Sequence, residues 1–74
     1  DFIVRTGERA VPVEIKYKRM KKPEMTRSLH NFIAAYQPDR AAVVNLSFSG
    51  RIETGKTEVY FMPFYELINN DFHI

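Results

Sequence analysis

Two acidic residues and a lysine in the first part of the chain have the types and spacing for metal and phosphate chemistry. Asp1 opens the chain, and Glu14, Ile15 and Lys16 form a Glu-x-Lys triplet. Side chains two residues apart on a strand project to the same side, so Glu14 and Lys16 share a face. Mg²⁺ binds one or two carboxylates, a backbone carbonyl and waters, and a nearby lysine can hold a water or stabilise charge on a phosphate. The pattern is therefore suited to binding a metal ion and a phosphate group.

A predicted hairpin brings these residues together. Residues 1–5 and 10–17 alternate and are rich in β-branched side chains, and the turn Thr6–Arg9 separates them. A two-residue loop inside that turn makes Asp1 the cross-strand neighbour of Glu14, with Cβ atoms ~5 Å apart. Two carboxylates this close repel each other unless a cation lies between them. The alternative is a solvent-facing strand edge with an ordinary Glu/Lys alternation, and the residues alone leave both interpretations open.

A cluster of positive charge follows the second strand. Five of the eleven basic residues fall within the seven positions Lys16–Lys22, which we call the basic segment: Lys16, Lys18, Arg19, Lys21 and Lys22. Such a cluster favours polyanions such as nucleic acid. We expect the last four of these side chains to position a phosphate backbone without reading base sequence. A solvated loop that charge keeps soluble explains the cluster equally well.

The rest of the chain predicts a small α/β fold. A helix is expected to start at Pro23-Glu24 and to end before Pro38, since apolar residues recur at helical spacing between them. The apolar run Ala41–Leu46 predicts a strand buried on both faces, and a right-handed crossover makes it parallel to Val11–Lys16. A further strand, Glu58–Met62, and a last short helix, Phe64–Asn69, complete a mixed sheet of four strands in which an antiparallel hairpin is followed by a helix crossover to a parallel strand.

Gly50–Thr57 matches the P-loop pattern G-x-x-x-x-G-K-[ST], in which Gly55, Lys56 and Thr57 would bind a nucleotide. A P-loop requires a helix after the motif, because backbone N–H groups at the helix start bind the phosphates. The residues after Thr57 alternate and are β-branched or aromatic, so they predict a strand. We therefore expect Gly50–Gly55 to be a polar hairpin loop between two strands, and a nucleotide site remains the minor alternative.

Composition excludes several classes of protein. The chain of 74 residues contains no cysteine, which excludes disulfides and thiolate metal sites, and His30 and His73 are too far apart for a histidine metal cluster. No secretory signal or bilayer-length apolar segment is present, so we expect a cytoplasmic protein without membrane contact.

Residues 1–74 fit one domain. Because the chain opens at Asp1 directly into the apolar run Phe2–Val4, we expect it to be part of a longer protein.

The order of these motifs resembles the nuclease-like C-terminal domain of a family of prokaryotic AAA-type ATPases, within the restriction-endonuclease-like, or PD-(D/E)XK, superfamily. The resemblance rests on Asp1–Val4, the strand Val11–Lys16, the basic segment, the Leu-x-x-Phe pattern at Leu29–Phe32 and the ending Tyr60–Leu67. It covers nearly the whole chain and implies a truncated restriction-endonuclease-like core.

The resemblance also implies functional residues and partners. Asp1 and Glu14 resemble the metal-binding acids, Lys16 the catalytic lysine, and the carbonyl of Ile15 a backbone ligand of Mg²⁺. The implied activity is hydrolysis of phosphodiesters, with DNA and an upstream ATPase module of the same protein as partners. A catalytically degenerate module that binds or regulates a protein is the alternative, and a second copy of the chain is a further candidate partner.

Overall fold

A mixed sheet with helices forms the framework of the molecule. The computed structural model describes the backbone of residues 2–6 and 9–69 and the side chains of residues 11–66. Within these residues the elements are β1 (Phe2–Thr6), β2 (Arg9–Ile15), α1 (Arg27–Tyr36), β3 (Arg40–Asn45), β4 (Gly50–Thr54), β5 (Thr57–Pro63) and α2 (Phe64–Asn69). The strand order is β1-β2-β3-β5-β4. β3 is parallel to both of its neighbours, whereas the two edge pairs are antiparallel. The predicted α/β architecture is confirmed.

The N-terminal hairpin has the predicted register. Its pairs run from Thr6 opposite Arg9 to Phe2 opposite Val13. A slip of one residue would turn the side chains of β2 to the opposite face of the sheet. In the observed register Val11 and Val13 are buried, with 3% and 2% of their surface exposed. Burial of this pair therefore supports the same alignment that the turn specifies.

The crossover helix starts later than predicted. α1 begins at Arg27, and Thr26 is its N-cap, with the Thr26 hydroxyl accepting a hydrogen bond from the Leu29 N–H at 3.2 Å. A threonine cap satisfies an otherwise unpaired N–H, an advantage that Pro23-Glu24 does not offer. The helix ends as expected: Gln37 adopts the left-handed conformation, and its N–H donates to the Ile33 carbonyl at 2.8 Å.

The segment predicted as a loop, Gly50–Gly55, instead forms strand β4 over Gly50–Thr54, so the described residues contain five strands rather than four. β4 is an edge strand, antiparallel to β5, with Ile52 opposite Val59. Ile52 packs against the buried residues on the helix side of the sheet. Polar side chains suit an edge strand, because half of its surface faces water. This one apolar contact and the pairing with β5 outweigh its loop-like composition.

Apolar side chains are buried on both faces of the sheet. One cluster lies between the sheet and α1 and contains Met20, Leu29, Ile33, Ala41, Val43, Val59 and Phe61. The other lies on the opposite face and contains Val11, Val13, Ala42 and Val44. β3 contributes to both clusters because it is the central strand, and five of its six residues are buried. A strand buried on both faces was the prediction for this run of residues.

Candidate metal and phosphate site

Glu14 is a buried carboxylate on an interior strand. β2 lies between β1 and β3, and Glu14 pairs with Val43 on the face that α1 covers. Only 2% of its surface is exposed. The interpretation of this position as a solvent-facing strand edge is therefore wrong. Removing a carboxylate from water carries a large free-energy penalty unless it gains hydrogen bonds or a counter-charge.

Glu14 has one hydrogen-bond partner among the described residues. The Thr26 hydroxyl donates to Glu14 Oε1 and at the same time accepts from the Leu29 N–H. Glu14 therefore contacts the N-cap residue of α1. The positive dipole end of the helix favours a negative charge at this position. Glu14 Oε2 is fully buried and has no hydrogen-bond partner in the described part of the chain. This oxygen is suited to a cationic group that is not among the described side chains.

Lys16 lies beside the same helix start. Its side chain is half-buried and lines a cavity of about 110 Å³ together with Lys18, Met20, Glu24, Met25 and Thr26. The Lys16 N–H donates to the Val44 carbonyl at 2.8 Å, which fixes the backbone at the end of β2. Thr26 thus connects the two residues: its hydroxyl bonds to Glu14, and it lines the same cavity as Lys16.

Of the other predicted metal ligands, Ile15 is the last residue of β2, so its carbonyl lies between Glu14 and Lys16 along the chain. Asp1 lies outside the described residues, and β1 starts at Phe2. Among the described side chains no three histidine, cysteine, aspartate or glutamate residues lie close enough to form a metal-binding group. Glu14 with its unpartnered oxygen is consequently the carboxylate of interest in the described part of the site.

The predicted nucleic-acid-binding residues are all at the surface. Lys18, Arg19, Lys21 and Lys22 are exposed. Lys18 forms an ion pair with Glu24 at 3.1 Å, and both partners are about half exposed, so solvent weakens this pair. The segment therefore presents a positively charged surface next to the Lys16 cavity.

Hydrogen bonds with the β3–β4 connection hold this basic segment in place. The Leu46 N–H donates to the Lys18 carbonyl at 3.1 Å, and Ser47 Oγ bonds to both the N–H and the carbonyl of Met20 at 3.1 Å. Asn45, which is 1% exposed, shapes the connection by accepting from the N–H groups of Ser47 and Phe48. The sequence interpretation did not identify this network, because the bonds that join the connection to Lys18 and Met20 link residues far apart along the chain.

The Gly50–Thr57 motif does not have the geometry of a P-loop. Gly55 and Lys56 form the turn between β4 and β5, with Thr54 paired to Thr57 and a φ of 61° at Gly55. The strand predicted after the motif is β5. Thr57 is 1% exposed, and its hydroxyl donates to the Pro38 carbonyl, whereas Lys56 is exposed. The turn thus provides no helix start for a phosphate, and the threonine hydroxyl is engaged elsewhere.

Thr26 is the residue of the site that the sequence interpretation missed. It caps α1 and is the described donor to Glu14. A threonine ahead of an apolar-periodic segment is a recognised helix-start signal. Read as a cap, it would have placed the helix start correctly, although its contact with Glu14 requires the folded structure.

Comparison with known proteins gives one match. Residues 1–67 match a family model described as a domain of unknown function, DUF4143. No curated protein and no solved structure matches the chain. In the described residues no helix has the length and apolar character needed to cross a bilayer. Since the family model covers most of the chain, the chain belongs to the DUF4143 family.

Proposed function

We propose that this chain is the nuclease-like domain of an ATPase-associated protein and that it engages nucleic acid next to a Mg²⁺ site at Glu14. The buried, unpartnered Oε2 atom of Glu14 beside Lys16 carries the proposal. Two further points support it: the order of the sequence motifs resembles the nuclease-like C-terminal domain of AAA-type ATPases, and the exposed basic segment adjoins the site.

Glu14 is suited to hold a hard cation, because a carboxylate oxygen without a partner is the kind of ligand that Mg²⁺ binds. The hairpin register predicts Asp1 as the second acid, since the pair beyond Phe2–Val13 would be Asp1–Glu14. The carbonyl of Ile15 would supply a third oxygen. When bound, the metal would activate a water and neutralise charge on the phosphate.

Each protein group has a distinct part in this proposal. Thr26 fixes Glu14 through its hydroxyl, so that the free oxygen keeps one orientation. Lys16, on the wall of the adjoining cavity, would stabilise negative charge that develops on the phosphate. The exposed segment from Lys18 to Lys22 would bind neighbouring phosphates and position the scissile bond.

Plasmid nicking by the full-length protein in Mg²⁺ tests the catalytic part. We expect nicking that EDTA abolishes and that Glu14→Gln and Lys16→Met each reduce by at least about a hundredfold. Glu53→Gln is the matched control, because Glu53 is an exposed acid on the edge strand β4 and does not line the Lys16 cavity. Absence of nicking by the wild-type protein would refute the nuclease assignment, and so would nicking by Glu14→Ala at the wild-type rate.

The salt dependence of DNA affinity tests the binding part separately. If the four exposed basic residues each contact a phosphate of duplex DNA, the logarithm of the affinity should fall with the logarithm of salt concentration with a slope of about −3.6. Substitution of Arg19 by alanine should reduce that slope by about one, whereas Lys56→Ala, which removes an exposed charge on the β4–β5 turn, should leave it unchanged. A flat salt response would exclude phosphate contacts by this segment.

A protein-interaction or regulatory module is the second candidate, and one observation favours it. Three apolar residues at the carboxyl ends of the parallel strands are substantially exposed: Ile15 at the end of β2, Leu46 after β3 and Phe64 after β5, at 37%, 40% and 49%. Clustered apolar exposure is a feature of protein contacts. If Phe64→Ser disrupts assembly of the ATPase while Glu14→Gln has no effect in the nicking assay, this candidate replaces the first.

A further inference from the structure

Tyr17 is an exposed aromatic residue inside the basic segment. It has 87% of its surface exposed, more than any other large apolar side chain in the described part of the chain. Lys16 and Lys18 flank it, and Arg19 follows. A single exposed apolar side chain needs no explanation on its own. An exposed aromatic residue in a run with three cations is different, because the same short segment of chain offers a stacking face and phosphate-binding charges.

The backbone on either side of Tyr17 is fixed by hydrogen bonds. The Lys16 N–H donates to the Val44 carbonyl at 2.8 Å, and the Lys18 carbonyl accepts from the Leu46 N–H at 3.1 Å. Met20, three residues on, is buried and bonds to Ser47 through both of its backbone groups. The ring is therefore presented by an ordered backbone, so binding a ligand does not require ordering of this segment first.

We propose that Tyr17 is a stacking platform for an unpaired base and that this domain binds single-stranded nucleic acid in preference to duplex. The inference rests on the proposed function, which assigns phosphate contacts to the segment but leaves strandedness open. A duplex hides its base faces, whereas a single strand exposes them and alternates each base with a phosphate. Tyr17 between Lys16 and Lys18 matches that alternation.

Charge distribution within the segment agrees with this arrangement. Lys18 is partly neutralised by Glu24 at 3.1 Å, whereas no ion pair of Arg19, Lys21 or Lys22 occurs among the described side chains. Three cations without an ion pair among the described side chains thus follow Tyr17 along the chain, and Lys16, also without one, precedes it. A strand that stacks one base on Tyr17 would find phosphate contacts on either side.

Fluorescence anisotropy with labelled oligothymidine and with a matched-length duplex tests the proposal in the full-length protein. Tyr17→Leu removes the ring and keeps an apolar side chain, and Tyr17→Phe keeps the stacking face. Tyr36→Leu is the matched control, because Tyr36 is 71% exposed but ends α1, away from the basic segment.

We expect wild-type protein to bind the single strand more tightly than the duplex. Tyr17→Leu should weaken single-strand binding by about fivefold or more, while Tyr17→Phe, Tyr36→Leu and all duplex affinities stay unchanged. Equal single-strand affinity of Tyr17→Leu and wild type, or preferential binding of the duplex, would overturn the inference while leaving the proposed function standing. Binding of neither nucleic acid would remove both.

Discussion

Glu14→Gln should stabilise the protein when no divalent cation is present. Wild-type Glu14 is a buried carboxylate with one hydrogen bond from Thr26 and an unpartnered Oε2. An unsatisfied buried polar group costs about 1–3 kcal/mol, and more when it is charged. Glutamine keeps an oxygen for the Thr26 hydroxyl and removes the charge, although its amide nitrogen then needs an acceptor. We expect a net gain of about 1 kcal/mol in the free energy of unfolding.

Mg²⁺ should reduce or reverse that difference. At a concentration about ten times the dissociation constant, a ligand of the native state adds about 1.4 kcal/mol of stability. Wild type should gain this amount because its carboxylate acquires a partner, and Glu14→Gln should gain much less. For a domain of this size, 1 kcal/mol corresponds to about 4–8 °C in melting temperature, so both effects are measurable.

Thermal unfolding followed by circular dichroism, in EDTA and in Mg²⁺, measures the four melting temperatures of wild type and variant. Glu24→Gln is the control and should change the free energy of unfolding by less than about 0.5 kcal/mol in either buffer, since its side chain is 44% exposed. A lower melting temperature of Glu14→Gln in EDTA would show that the carboxylate is net stabilising. An identical Mg²⁺ shift in both proteins would exclude Glu14 as a ligand.

Three further predictions test the surroundings of the site. Thr26→Ala should destabilise the protein by about 1–3 kcal/mol in denaturant titration, because it removes the N-cap and the donor to Glu14, whereas Thr26→Ser should retain most of the stability. Asn45→Ala should lower the free energy of unfolding by about 2–4 kcal/mol, since it leaves the N–H groups of Ser47 and Phe48 without their acceptor; an effect on nucleic-acid affinity as well would show that this connection supports the basic segment. Lys56→Ala should leave ATP binding at its wild-type level in isothermal calorimetry, and a tight, Mg²⁺-dependent affinity that this variant abolishes would contradict the hairpin interpretation of the motif.

Local pattern was sufficient for much of the fold. The β1–β2 register followed from a short turn and an alternating apolar face, two signals that lie within a few residues of each other. The apolar run of β3 and the proline at the end of β5 likewise act locally. Each of these elements was predicted because neighbouring residues determine it.

β4 and the start of α1 were predicted incorrectly for different reasons. β4 has loop-like composition, and it forms a strand because it pairs with β5 and buries Ile52 against the core, which are contacts without a local signature. α1 starts at Arg27 rather than at Pro23 because Thr26 caps it, and a threonine cap is a local signal that the prediction did not use. Only the bond from Thr26 to Glu14, twelve positions earlier, requires the folded structure.

The same limit applies to the site. The Glu-x-Lys spacing placed Glu14 and Lys16 on one side of a strand, but it did not decide whether that side faced water or the core. The position of β2 between two other strands, with α1 across its face, buries the carboxylate. Only the folded structure shows that, among the described residues, one carboxylate oxygen is paired and the other is not.

That asymmetry is the strongest physical argument for a ligand at Glu14. A domain of this length has a net stability of only several kcal/mol, so a buried charged oxygen without a partner consumes a sizeable fraction of it. An apolar side chain of similar volume would remove this penalty, because replacement of buried ionic groups by well-packed apolar ones is often neutral or stabilising. Stability therefore does not explain a carboxylate here. The cation proposed at Oε2 would explain it, and because the hydroxyl of the N-cap residue Thr26 donates to the other oxygen, such a cation would stabilise the start of the helix as well as the site.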